Sequence, residues 1–291
     1  MDADTAWIEV FRSPTPGDCD ERALVLLAVG IPALMSDEHG AFALWVAEGD
    51  RTRAVIELAR YALENRPRPR PLPPRLHPGA AAAALGYVLV LFAVAVATSR
   101  HFLGGDWFGA GVLDGERLRT GELWRAVTAL TLHADLAHLA ANAGFGALFG
   151  GLAARVYGAG FAWLLILVAA VAANVVNGVT MPAGRASLGA STAVFAALGA
   201  LAVYRWPAAT RRTRVGFAGA SIVAALVLLA LLGTGDAHTD VVAHALGFGF
   251  GAALALPLRR WPPPRERGPQ RLAAAATLAA IALAWALAYW M

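Results

Sequence analysis

The chain has 291 residues, 58% of them hydrophobic, with a mean hydropathy of +0.56 and a formal net charge of +4. Soluble domains are about 45–50% apolar, so this composition excludes an ordinary soluble domain and indicates a membrane protein. All 24 basic residues are arginine and fall between apolar segments, which argues against a nucleic-acid partner, and the single cysteine, Cys19, excludes an intrachain disulfide.

Residues 1–65 read as a small α+β domain of order βαββα. Trp7 to Phe11 alternates like a strand, and Pro14-Thr15-Pro16-Gly17-Asp18 forms a turn. Asp18 or Asp20 is placed to cap a helix ending near Val29. Ile31 to Met35 reads as a strand, Asp37-Glu38-His39-Gly40 as a hairpin turn, and Ala41 to Ala47 as its partner. Asp50 is placed to cap a last helix to Glu64, with Ala54, Leu58 and Tyr61 at helical spacing. The pattern resembles short bacterial domains of unknown function linked to signal transduction. No nucleophile–base pair or metal cluster is visible in it, so the expectation is a docking or regulatory module for a cytoplasmic partner. The first apolar run, Ala23 to Val29, is short and follows an acidic stretch, so no signal peptide is expected.

Residues 66–78 form a Pro/Arg linker, which proline keeps extended. Seven apolar segments follow: Gly79–Thr98, Leu136–Val156, Gly160–Val179, Ala190–Tyr204, Val215–Leu232, Val241–Leu258 and Leu272–Trp290. The linker arginines, Arg155, the group Arg205, Arg211, Arg212 and Arg214, and the group Arg259, Arg260, Arg265, Arg267 and Arg271 fall in alternate connections. Positive charge marks the cytoplasmic side, so the N-terminus is expected inside and the C-terminus outside. The fourth segment is about 15 residues, roughly 22 Å of helix, against about 30 Å of hydrocarbon. It cannot reach both faces, so its first hydroxyl, Ser191, is expected below the outer surface.

Ionisable groups at membrane depth are costly and therefore mark candidate function. The sixth segment carries His244, with Gly247 and Gly251 at i+3 and i+7 on one face. Small residues allow close helix approach, and Ala196 and Gly199 offer a matching surface on the fourth segment. If these faces pack, Ser191 and His244 come within hydrogen-bond reach as a nucleophile–base pair. The second segment opens with His133, His138 and Asn142, the last two at i and i+4, donors suited to an oxyanion hole. A zinc site from His133, His138 and His244 is the competing reading, and it lacks the H-E-x-x-H arrangement. Asp240, four residues before His244, is placed either to cap the sixth helix or to orient the base.

The run Glu122-Leu123-Trp124-Arg125, then His133, His138 and Asn142, then Gly189-x-Ser191, then Ala243-His244-x-x-Gly247-x-x-x-Gly251 resembles the rhomboid intramembrane serine proteases. The resemblance covers about residues 79–258, a six-helix core, and residues 259–291 add a loop and a seventh helix in that family's 6+1 arrangement. It implies a polytopic α-helical membrane protein of a bacterial inner membrane, with Ser191 as nucleophile and His244 as base. It implies that His138, Asn142 and the Ser191 backbone N–H bind the oxyanion. Trp124 and Arg125 would belong to a membrane-embedded loop, and His133 would tie that loop to the second segment. Many family members place Tyr four residues after the nucleophile; here it is Phe195, which keeps the ring face for stacking on the base and lacks the hydroxyl.

The implied function is cleavage of transmembrane segments of other membrane proteins in the lipid bilayer, without metal or cofactor. The alternative is a catalytically inactive rhomboid-like protein that binds membrane clients; such relatives usually lack the Ser or the His, and this chain has both. The charge pattern generates a topology test: a reporter fused after Met291 is expected to read outside the cytoplasm. A cytoplasmic signal would mean that the seventh segment does not cross.

Overall fold

The computed structural model describes residues 6–38, 40–65, 77–204, 219–228 and 240–290. The chain divides into two compact units, Met1–Arg70 and Pro71–Met291.

The N-terminal unit is built from β1 (Trp7–Ser13), α1 (Pro16–Ala28), β2 (Ala33–Glu38), β3 (Ala41–Ala47) and α2 (Arg51–Glu64). Its antiparallel sheet has the order β1-β3-β2. Leu26, Ile31, Leu44, Val46, Ala54 and Leu58 form its core. Four local expectations are corrected. Helix α1 starts before Asp18, at Pro16, whose fixed φ suits the first helical position; Thr15 is the cap residue, and Asp18 instead accepts the Ser13 hydroxyl at 2.7 Å. The second strand starts at Ala33 because Gly30, at φ +76°, and Ile31 close α1: their N–H groups donate to the Leu27 and Leu26 carbonyls. Asp37 and Glu38 then belong to the strand, opposite Phe42 and Ala41. Asp50 stands at the cap of α2, but its side chain makes no capping bond, since a 3₁₀ turn (Glu48–Asp50) leads into the helix.

The second unit is helical. Its long apolar helices are α3 (Ala80–Ser99), α7 (Leu136–Tyr157), α8 (Ala159–Thr180), α11 (Val241–Ala255, extended by a 3₁₀ turn to Arg259) and α12 (Arg267–Trp290). With that extension, these five are long and apolar enough to cross a membrane, which makes the chain a multi-pass membrane protein. Helix α9 (Ser191–Val203) is shorter, and Gly219–Leu228 (α10) is the described part of the fifth apolar segment. Residues 66–76 of the linker and the remainder of the fifth segment lie outside the described residues. Helix α12 begins five residues earlier than its apolar run, because the polar Gln270 is structural. Its Oε1 accepts the Gly160 and Phe161 N–H groups at the start of α8, and its Nε2 donates to the Pro264 carbonyl at 2.8 Å.

Between α3 and α7 the chain makes α4 (Trp107–Gly111), β4 (Leu113–Asp114), α5 (Gly115–Arg119) and α6 (Arg125–Thr128), then a 3₁₀ turn over Ala129–Thr131. Asp106 and Asp114 cap α4 and α5 through their carboxylates. Arg125 is the hinge pin. It is 1% exposed, its guanidinium meets the Glu122 carboxylate at 2.6 Å, and it donates to the Gly109 and Val112 carbonyls at 2.8 Å each. The Trp124 indole N–H donates to the Ala110 carbonyl at 3.3 Å. Strand β4 pairs with β5 (Ala186–Ser187), which binds this loop to the residues that precede α9.

Helices α9 and α11 approach through glycine. A Cβ on Gly251 would overlap the Ala196 carbonyl, one on Gly199 the Phe248 carbonyl, and one on Gly247 would press on the Thr192 carbonyl. Gly249, on another face of α11, has nothing within 4 Å of its would-be Cβ.

Two predictions follow from this packing. Gly251→Ala is expected to lower the thermal midpoint in detergent, at an overpacking cost of about 1–3 kcal/mol, while Gly249→Ala leaves it unchanged or higher. Equal midpoints for the two variants would refute the close approach. Arg125→Met leaves the Glu122 carboxylate and two backbone carbonyls without their donor, at a cost of about 3–5 kcal/mol. It should abolish recovery of folded protein, whereas an exposed Arg60→Met should not.

Candidate active site

The short helix α9 puts Ser191 at its first turn, and the glycine-lined approach of α11 puts His244 opposite. The His244 Nε2 lies 2.8 Å from the Ser191 Oγ, and both residues are buried. The Phe195 ring, one turn after Ser191, stacks on the imidazole with centroids 4.5 Å apart and planes 9° from parallel. The Nδ1 of His244 has no partner among the described residues. The ring is therefore oriented by stacking on one face and by the serine hydroxyl at Nε2, with no carboxylate on its far nitrogen.

Asp240 begins α11 and acts as its cap, accepting the Ala243 N–H at 3.0 Å. Its second oxygen accepts the amide of Asn177 on α8. The two oxygens thus pin the start of α11 to α8 one turn above His244. Neither Asn177 nor Asn174, whose amide donates to the Ala126 carbonyl at 3.0 Å, stood out in the sequence reading, which weighted ionisable residues. The signal was there: two asparagines at i and i+3 in an apolar helix, where an amide must find a partner.

His138 and Asn142 come from the first two turns of α7, whose start is capped by the Asp135 carboxylate. Both converge on the chain just before Ser191. A Cβ on Gly189 would lie 2.7 Å from His138 Nε2 and 3.5 Å from Asn142 Nδ2. Gly189 has φ +120°, a conformation that also favours glycine. Asn142 is fully buried, yet neither side-chain polar atom has a partner among the described residues. A buried amide left unpaired costs about 1–3 kcal/mol. Such a group, aimed at the chain beside a nucleophile, is what an oxyanion site needs when empty of substrate. The Asn142 backbone is held separately, its carbonyl accepting the Tyr87 hydroxyl at 2.9 Å.

His133 packs edge-on against His138, with centroids 5.1 Å apart, and its Nε2 accepts the Ala190 N–H at 3.5 Å. Burial pushes its imidazole down to about 4, so the ring is neutral near pH 7 and has a lone pair to offer. It thus touches both α7, through His138, and the start of α9, through Ala190. Gly247 and Gly251 serve the α9–α11 contact, and Trp124 and Arg125 bind carbonyls within the loop between α3 and α7.

Residues 120–261 match the rhomboid domain. The chain is 31% identical over 150 residues to the rhomboid protease GluP of Bacillus subtilis (strain 168), covering 51% of this chain and 29% of that protein. It is 30% identical over 155 residues to rhomboid-like protease 2 of Toxoplasma gondii, covering 50% of each. The chain thus spans half or less of the length of these curated relatives. The matched region takes in His138, Asn142, Ser191 and His244, which the fold gathers around one hydroxyl, together with Trp124-Arg125 of the loop between α3 and α7, and over this region the chain is similar to the rhomboid domain.

Proposed function

We propose that the protein is an intramembrane serine endopeptidase that cleaves transmembrane segments of other membrane proteins by acyl transfer. The observation that carries this reading is the 2.8 Å contact between His244 Nε2 and Ser191 Oγ in a buried site. Ser191 Oγ attacks a substrate carbonyl, and His244 Nε2 takes the hydroxyl proton. The tetrahedral oxyanion forms beside Gly189, where the Asn142 amide, His138 Nε2 and the Ser191 backbone N–H donate to it. The imidazolium then returns its proton to the leaving amine, and water, activated by the neutral imidazole, releases the acyl group. The unpaired Asn142 amide supports this assignment, because the missing partner is a developing negative charge.

The dyad works without a third carboxylate. Phe195 holds the ring plane, and Asp240 acts one step removed, through the helix start that carries His244. Replacing the common Tyr by Phe removes a hydroxyl and leaves the stacking face in place. The arginine distribution supports a cytoplasmic N-terminus in a bacterial inner membrane, a C-terminus outside, and a catalytic serine that opens toward the outer face. The small N-terminal unit then belongs to the cytoplasmic side, as a module for a cytoplasmic partner.

A fluorophosphonate probe on the purified chain tests the reading. Labelling is expected on Ser191 and lost in both Ser191→Ala and His244→Ala, and Ser191→Ala should abolish cleavage of a model transmembrane substrate. His138→Ala and Asn142→Ala should each lower turnover by about 10²–10³ without loss of folded protein. Cleavage that survives in Ser191→Ala above trace level would sink the dyad.

A further inference from the structure

Helix α12 lies beyond the matched region 120–261, yet its Trp285 reaches the turn that presents Ser191. The Trp285 indole N–H donates to Thr131 Oγ1 at 3.0 Å in a buried contact spanning 154 residues of sequence. Thr131 ends the 3₁₀ turn Ala129–Thr131, and its hydroxyl donates in turn to the Thr128 carbonyl at 2.8 Å. The same turn holds the chain in front of the nucleophile, since the Gly189 N–H donates to the Ala129 carbonyl at 2.9 Å. Two residues past the turn, His133 accepts the Ala190 N–H. Apolar packing runs the same way: Trp285 shares one cluster with Leu132, Trp107, Trp124 and Leu188, three residues before Ser191. The indole also fills the space beside Gly111, where a Cβ would stand 2.5 Å from the ring.

We propose that Trp285 is a positioning residue for the Ser191 chemistry, and that the seventh helix is part of the active-site scaffold. The proposal rests on the Ser191–His244 reading above. The physical reason is the geometry of residues 189–191. Gly189 adopts a backbone conformation that favours glycine, at φ +120°, and its N–H and that of Ala190 are both taken up by the segment Ala129–His133. Trp285 holds that segment from behind through one hydrogen bond and one packed ring. A slackened turn lets Gly189 and Ala190 drift, and with them the Ser191 hydroxyl and backbone N–H. Catalysis tolerates such drift poorly, since a shift of about 1 Å costs on the order of a hundredfold in rate. Substrate docking does not need these two groups aligned, so the loss should fall on kcat and leave KM in place.

The test uses the full chain in detergent and four variants: Trp285→Phe, Thr131→Val, the two combined, and Thr131→Ser. Trp285→Phe removes the donor and keeps one aromatic ring; Thr131→Val keeps the volume and removes the acceptor; Thr131→Ser keeps the hydroxyl. The readouts are the second-order rate of fluorophosphonate labelling at Ser191, and kcat and KM on a model transmembrane substrate at equal active-site titre. Trp285→Phe and Thr131→Val are each expected to lower the labelling rate and kcat by roughly 3- to 30-fold with KM unchanged. The double variant should lose clearly less than the product of the two single losses, because both remove the same Trp285–Thr131 bond. Thr131→Ser should react at the rate of the unsubstituted chain. Unchanged rates in both single variants, losses that multiply in the double one, or a loss confined to KM would overturn the proposal. Failure of the unsubstituted chain to label at Ser191 would instead overturn the dyad on which it rests.

Discussion

The close approach of α9 and α11 is the constraint on which the site depends. At Gly199, Gly247 and Gly251 the absence of a Cβ lets the backbone of one helix approach the backbone of the other. Lipid tails are as apolar as the side chains they would replace, so this contact draws on packing rather than on the hydrophobic effect. Small residues are the means of gaining such packing, and the 2.8 Å contact between Ser191 and His244 follows from it.

Around this contact, buried polar groups divide into two kinds. Most have partners. Arg125 is bound to Glu122 and two carbonyls, Asn174 to the Ala126 carbonyl, Asn177 to Asp240, and the Tyr157 hydroxyl to the Ala200 carbonyl at 2.8 Å. These brace loops and helix ends, where a membrane interior offers no water to satisfy them. The Asn142 amide is of the other kind, fully buried and without a partner among the described residues, next to Gly189. In a low-dielectric setting an unmet donor is expensive, and under the proposed oxyanion role the site carries that cost in its resting state.

Helix α12 is fastened at both ends. Near its start Gln270 caps the first turn of α8, and near its end Trp285 grips Thr131 while the Tyr289 hydroxyl donates to the Leu103 carbonyl at 3.1 Å. A helix appended only to cross the membrane would need none of these polar contacts. Its ties run to the loop between α3 and α7 and to the turn ahead of Ser191, the same elements that β4 and β5 link by strand pairing.

Much of this was legible in the chain. Length and hydropathy placed the apolar segments to within a residue or two at most ends, because the thickness of a bilayer sets helix length. The short fourth segment, the rare ionisable residues within apolar runs and the glycines at i+3 and i+7 from His244 located Ser191, His244, His138 and Asn142, because charge and small residues are conspicuous in a membrane helix. Local structure was read less well. The end of α1 consumed Gly30 and Ile31 in a helix-closing turn, and Gln270 drew α12 outward past its apolar run. What only the tertiary structure decided is partnership. Asn177 with Asp240, Trp285 with Thr131 and Gln270 with the start of α8 join residues 63 to 154 positions apart. A sequence displays the need of a buried amide or indole for a partner, while the register in which helices pack determines which partner it meets.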